Sequence, residues 1–95
     1  ERNCQLIKGD SFRFLQRQKK DSYHLIFLDP PYGGELLNRA IAEICRIDIL
    51  SEGGIMVCES AAVDVLEPVN PPYRVVKQYP YGHTVLTIIT KGDAE

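Results

Sequence analysis

Long apolar runs are missing from this chain, and so is any segment with the charged start and apolar middle of an export signal. Nothing in it reads as a membrane span or a leader, so the expectation is a cytoplasmic protein without membrane contact. Charge of one sign is missing too: 11 Lys and Arg against 13 Asp and Glu leave a net charge of −2. A slightly acidic chain lacks the broad basic field of a stand-alone nucleic-acid binder. Cysteine is sparse. Cys4, Cys45 and Cys58 are odd in number and have no metal-ligand spacing, while Cys45 and Cys58 lie in apolar stretches. Buried thiols in a reducing compartment fit better than a disulfide framework or a metal site. The first residue is not Met, and Glu1-Arg2-Asn3 reads like the end of an interrupted segment, so a truncated chain is expected.

What is present fits one small domain or part of one: 95 residues, 44% hydrophobic and 25% charged. The organising stretch is His24-Leu25-Ile26-Phe27-Leu28-Asp29-Pro30-Pro31-Tyr32-Gly33-Gly34. Its apolar part has the length and lack of alternation of a strand buried on both faces. Open α/β sheets place their chemistry just beyond the carboxyl ends of such strands, and that position holds Asp29-Pro30-Pro31-Tyr32. The two prolines fix φ, extend the residue before each and donate no N–H, so the corner offers rigid carbonyl acceptors. Asp29 adds a charged acceptor and Tyr32 a flat face on which a base can stack. Two acceptors and a ring suit the gripping of an exocyclic amine on a nucleobase. If Asp29 and the Pro30 carbonyl each accept one N–H, the nitrogen can pyramidalise and aim its lone pair at an electrophilic methyl group, a matter of positioning and charge stabilisation.

That tetrapeptide after an apolar strand resembles the (Asp/Asn)-Pro-Pro-(Tyr/Phe) motif of S-adenosylmethionine-dependent amino-methyltransferases acting on DNA and RNA. Phe27-Leu28-Asp29-Pro30-Pro31-Tyr32, a Leu-rich helix after it, Leu50-Ser51-Glu52-Gly53-Gly54 leading into a strand that ends at Glu59-Ser60, and a late Tyr81-Gly82 are similar to the RsmD-type family. The resemblance covers nearly the whole chain but only the C-terminal half or so of a family member. It implies a Rossmann-like class I α/β fold, S-adenosylmethionine as cofactor, and the N2 amine of a guanine in small-subunit ribosomal RNA as methyl acceptor. It assigns catalysis to Asp29, Pro30, Pro31 and Tyr32, and contact with the adenine of the cofactor to Asp10 and Ser11. Read alone, Asp10 or Ser11 caps a helix.

In chain order, Gln5-Leu6-Ile7-Lys8 reads as a short strand and Phe12 to about Lys19 as a helix, with Phe12 and Leu15 packing on the sheet. Arg17, Lys19 and Lys20 form a small basic cluster that reads as a solvated helix end. His24 stands at the opposite end of its strand from the motif, in a structural or exposed place. Glu35 to about Asp48 reads as an amphipathic helix burying Leu37, Ile41, Ile44 and Cys45 and leaving Arg39, Glu43 and Arg46 to solvent. Ser51-Glu52-Gly53-Gly54 turns the chain into a strand over Ile55–Glu59, and the strand–helix–strand unit implies a parallel crossover. Glu59 and Ser60 then fall at the same sheet edge as Asp29. Ala61 to Leu66 reads as a short helix, and Pro68, Pro71 and Pro72 as a rigid loop. Tyr73–Tyr79 and Thr84–Thr90 pair as a hairpin through Pro80-Tyr81-Gly82-His83. Tyr79, Tyr81 and His83 suit either stacking on RNA or ordinary surface packing.

A complete class I methyltransferase sheet has the order 3-2-1-4-5-7-6, its first strand ending in a Gly-rich cofactor loop and its second in an acid for the ribose hydroxyls. No Gly-x-Gly-type segment follows any strand candidate here. What remains matches strands 3 to 7, which closes up as a mostly parallel five-stranded sheet in the order 3-4-5-7-6 with a C-terminal antiparallel hairpin. The expectation is an RNA methyltransferase fragment, inactive alone, whose partner is ribosomal RNA or the assembling small subunit, and whose exposed edges suggest a homodimer. Two other readings stay open: a degenerate binding or assembly domain, and a fragment of a DNA adenine N6 methyltransferase.

Overall fold

The computed structural model of the chain describes residues 4–7, 23–28 and 34–92. Within them lie five strands and one helix: β1 (Cys4–Ile7), β2 (Tyr23–Leu28), α1 (Gly34–Ile47), β3 (Leu50–Ala61), β4 (Tyr73–Tyr81) and β5 (Thr84–Lys91). The strands form one sheet in the order β1-β2-β3-β5-β4. β1, β2 and β3 run parallel, and β5 lies antiparallel to both β3 and β4. This is the order and the mixture of directions that the sequence predicted. The helix expected over Phe12–Lys19 and its contacts through Phe12 and Leu15 fall outside the described residues.

Ladder partners share a face, so the register sorts the sheet into two sides. Ile26, Met56 and Ile89 align on one side, followed by Leu28, Cys58 and Thr87. All six are buried, and α1 lies against them with Leu37, Ala40, Ile41 and Ile44. These helix positions fall on one stripe at a period of 3.6, as the sequence required. Thr87 is the polar member of this core, and its hydroxyl accepts from Gln78 Nε2 at 3.1 Å. The opposite side carries Phe27, Ile55, Val57 and Ile88, of which Phe27 and Ile55 are exposed, so β2 is buried on one face and not, as its unbroken apolar run suggested, on both.

The helix ends at Asp48, whose φ of 67° places a non-glycine residue in the left-handed region. The Asp48 and Ile49 amides both donate to the Ile44 carbonyl, at 2.8 and 3.2 Å, and so satisfy the last turn. Asp48 holds this place because its carboxylate is used. Asp48 Oδ1 accepts from the Tyr73 hydroxyl at 2.8 Å and pairs with the buried Lys91 ammonium at 2.9 Å. Those contacts join the end of α1 to the start of β4 and the end of β5.

Two local expectations need correction. Ser51-Glu52-Gly53-Gly54 does not precede the strand as a turn but lies within β3 as an irregularity: Tyr23 pairs with Leu50, and Leu25 then pairs with Ile55. Gly53 has φ of 78°, and a Cβ on Gly54 would stand 2.8 Å from the Ser51 carbonyl and 2.9 Å from that of His24. His24 itself is exposed, with Nδ1 3.2 Å from Ser51 Oγ. The second correction concerns Ala61 to Leu66. Ala61 ends β3, a turn follows, and residues 64–70 are irregular rather than helical. Length explains it. Residues 62–72 must return from the end of β3 to the start of β4, roughly the 30 Å of a nine-residue strand. With Ala61 to Leu66 helical, every remaining residue would have to be fully stretched to cover that distance, so the connection is extended throughout.

Candidate functional site

Asp29, Pro30, Pro31 and Tyr32, and likewise Asp10 and Ser11, lie outside the described residues. The residues that bracket the tetrapeptide are described: Leu28 closes β2 and Gly34 opens α1. Both belong to the carboxyl edge of the parallel strands. Ile7 and Leu28 are ladder partners. The chain therefore leaves β1 toward Asp10 and Ser11, and leaves β2 toward Asp29, from neighbouring strand ends.

Register places the rest of this edge. Leu28 pairs with Cys58, so Glu59 is the next residue on β3; it is exposed and pairs with Leu86, which pairs with Tyr79. Ala61, Thr84 and Tyr81 form the next row on the same side of the sheet, two residues on. The hairpin turn is joined to the end of β3 where the Ala62 amide donates to the His83 carbonyl at 2.7 Å. Glu59, Tyr79, Tyr81 and His83 thus share with Leu28 one end of the sheet, as expected for Glu59. The tyrosines and His83 are exposed rather than packed.

Beside this edge, a cleft of about 650 Å³ opens between the first half of α1 and the segment after β3, lined by Glu35, Asn38, Arg39, Asp64 and Glu67 among others. Asn38 fixes its wall, an element the sequence does not announce. Its Nδ2 donates to the Val65 carbonyl and its Oδ1 accepts from the Glu67 amide, both at 2.9 Å. One primary amide thus completes a donor and an acceptor of an extended segment, for which an Asn on the polar side of an amphipathic helix is the only sequence signal. A second cleft, of about 500 Å³, runs along α1 from Asn38 to Asp48, sharing Asn38, Ala42 and Glu67 with the first and reaching Asn70 and Tyr73 at its far end. Only its far end, at Asp48 and Tyr73, is at the amino edge of the sheet, away from Leu28.

The thiols behave as inert core groups. Burial, with a smaller contribution from Cys45, pushes Cys58 up to about 12, and burial together with Asp48 pushes Cys45 up to about 11. Burial and the hydrogen bond to Asp48 also hold the Tyr73 hydroxyl well above the usual tyrosine range. None of these groups is poised as a nucleophile near neutral pH. Among the described residues no cluster of His, Cys, Asp and Glu could hold a metal ion, and no helix is long and apolar enough to cross a membrane.

Three parallel strands completed by an antiparallel pair, with a helix opening just past the central strand end, define a methyltransferase-type α/β sheet. Solved structures share it. A candidate methylase of Haemophilus influenzae superposes with a TM-score of 0.75 at 20% identity, over 87% of this chain and 52% of its own. The candidate methyltransferase yhhF of Escherichia coli gives 0.74 at 21% identity, over 86% and 45%. A conserved hypothetical protein of Streptococcus pyogenes gives 0.71 at 26% identity, over 83% and 49%. The chain spans about half the length of these structures. No curated protein matches it. The chain belongs to the RsmD-type methyltransferase family, through the family model described as Conserved hypothetical protein 95, which matches residues 1–90.

Proposed function

We propose that this chain is part of an S-adenosylmethionine-dependent enzyme that methylates the N2 amine of a guanine in small-subunit ribosomal RNA, in the cytoplasm, as free RNA or in the assembling subunit. One observation carries the reading. In a chain of this family, the residues that bracket Asp29-Pro30-Pro31-Tyr32 sit at the carboxyl end of a parallel strand and the start of the next helix. In this reading Asp29 and the Pro30 carbonyl accept the two amine N–H groups, Pro31 stiffens the corner and Tyr32 stacks on the base. The bound cofactor supplies an electrophilic methyl group on sulfur. Adjacent ends of β1 and β2 fit the assignment of Asp10 and Ser11 to its adenine and Asp29 to the acceptor.

The test joins the chain to the N-terminal half of a relative and measures methyl transfer to ribosomal RNA. Asp29→Ala is expected to abolish transfer while leaving cofactor affinity within about threefold; equal loss of both overturns this division of roles. The chain alone is expected to show no measurable cofactor binding by calorimetry. A Gly-rich loop and a ribose acid each supply charge-assisted contacts worth about 1.5–3 kcal/mol, and this sequence has no such loop. Micromolar affinity of the isolated chain contradicts that part of the reading.

A further inference from the structure

The proposed function gives the sheet edge farthest from β1 no role in holding the amine or the cofactor. β4 is exposed along its whole length after Tyr73, on both sides. Its pairing with β5 slips once: Val75 pairs with Ile89 and Lys77 with Ile88, which leaves Val76 as an extra residue. A bulge of this kind re-aims every side chain beyond it. Continued alternation from Arg74 would bring Val76, Gln78 and Pro80 to the side of the sheet that α1 does not cover. With the bulge, Arg74, Lys77, Tyr79 and Tyr81 all come to that side, in register with Thr90, Ile88, Leu86 and Thr84. Two contacts agree with the rephasing. Gln78 bonds to the core-facing Thr87, and the Lys77 ammonium stands 5.2 Å from the centre of the Tyr79 ring.

The strip therefore holds two cations followed by two exposed rings, and it ends at the sheet edge where β2 also ends. From Pro68 to Lys91 the sequence contains no Asp or Glu, although the whole chain is net negative. Lys91 is buried against Asp48, so Arg74 and Lys77 set the sign of the exposed surface. We infer that the Arg74–Lys77–Tyr79–Tyr81 strip of β4 is a platform for single-stranded RNA, the rings each stacking a base and the cations meeting the phosphates. Alternate strand residues stand about 6.7 Å apart, so each ring is open to its own base. Glu59, on the same side two strands inward, repels a backbone that crosses the sheet. The strand consequently runs along β4 and delivers its leading nucleotide to the carboxyl edge. The inference rests on the proposed function for the choice of RNA, but its geometry does not depend on methyl transfer.

The experiment is a fluorescence-anisotropy titration of the 95-residue chain against a labelled single-stranded RNA of about a dozen nucleotides at low salt. Dissociation constants on the order of 10⁻⁵–10⁻⁴ M are expected for so small a cationic patch. The pair Tyr79→Leu with Tyr81→Leu keeps apolar surface and strand propensity but removes the rings, and is expected to weaken binding at least tenfold. Lys77→Gln is expected to flatten the slope of log affinity against log salt by about 0.7. Far-UV circular dichroism checks that each variant keeps its sheet. Should methyl transfer fail while the leucine pair still loses RNA, the proposed function falls and the platform stands. No binding by the parent chain, or leucine variants that bind as it does, overturns the platform.

Discussion

Asp48 occupies a backbone position that glycine would fill without strain, since φ of 67° costs a side chain about 1 kcal/mol. Its carboxylate receives the Tyr73 hydroxyl and the Lys91 ammonium where both residues are buried. Breaking one partner of a buried pair costs about 3–5 kcal/mol, more than the strain that glycine would relieve. Asp48→Gly is therefore expected to lower unfolding free energy by about 2 kcal/mol or more in urea titrations; a stabilised variant would mean the ion pair contributes nothing. The thiols add a pH dependence whose sign follows from their direction of shift. Cys58 binds its proton more tightly when folded, with an ordinary value of 9.0 raised to about 12. Its contribution is complete below about pH 9 and is lost as pH rises toward 12, at up to about 1.4 kcal/mol per unit. Cys45 and, from about pH 10 upward, Tyr73 act in the same direction. Urea midpoints measured from pH 7 to 11 should fall on the alkaline side, and Cys58→Ala should flatten that fall; an unchanged slope would deny Cys58 this role.

Among the elements, β3 is the one whose neighbours dictate a glycine. Gly54 is packed between the Ser51 and His24 carbonyls, and backbone cannot move aside as a flexible side chain can. Gly54→Ala is expected to cost about 1–3 kcal/mol, read as a lower thermal midpoint, whereas Asn38→Ala should leave global stability nearly unchanged and speed amide exchange at Glu67. The contrast marks what a sequence displays and what it hides. The stripe of Leu37, Ile41 and Ile44 displays α1 because its period is local, and the apolar run over His24–Leu28 displays β2 by its length and composition, although only the Ile26 and Leu28 side is buried. The hairpin is displayed by its turn residues. The break at residues 51–54 and the extra Val76 are hidden, since a bulge is a property of two strands and only one can be read at a time. The extended path after Ala61, up to Leu66, is hidden for a related reason: its apolar spacing suits a helix, but the distance it must cover is set by β3 and β4. At the site, the Asp29–Tyr32 motif stands out by composition, whereas the approach of β1 to β2 and the strip on β4 need the assembled sheet.

At the scale of the whole molecule, the question is how a sheet with an exposed edge avoids pairing with a copy of itself. β4 exposes Val75 and Val76 on an edge strand, a combination that templates further strands. Three features oppose that. The bulge at Val76 interrupts the flat run of donors and acceptors, Lys77 places a charge in the middle of it, and Pro80 removes an N–H near its end. The homodimer that exposed edges suggest is thus proposed to form, where it forms, away from β4. Light scattering at rising concentration tests this directly. Lys77→Val with Pro80→Val restores charge-free, fully donating backbone and should shift the chain toward dimers and larger species at concentrations where the parent shows no increase in mass. If those substitutions leave the mass unchanged, Lys77 and Pro80 do not guard the edge, and the cations of β4 are then left with contact to an acidic partner as their physical use.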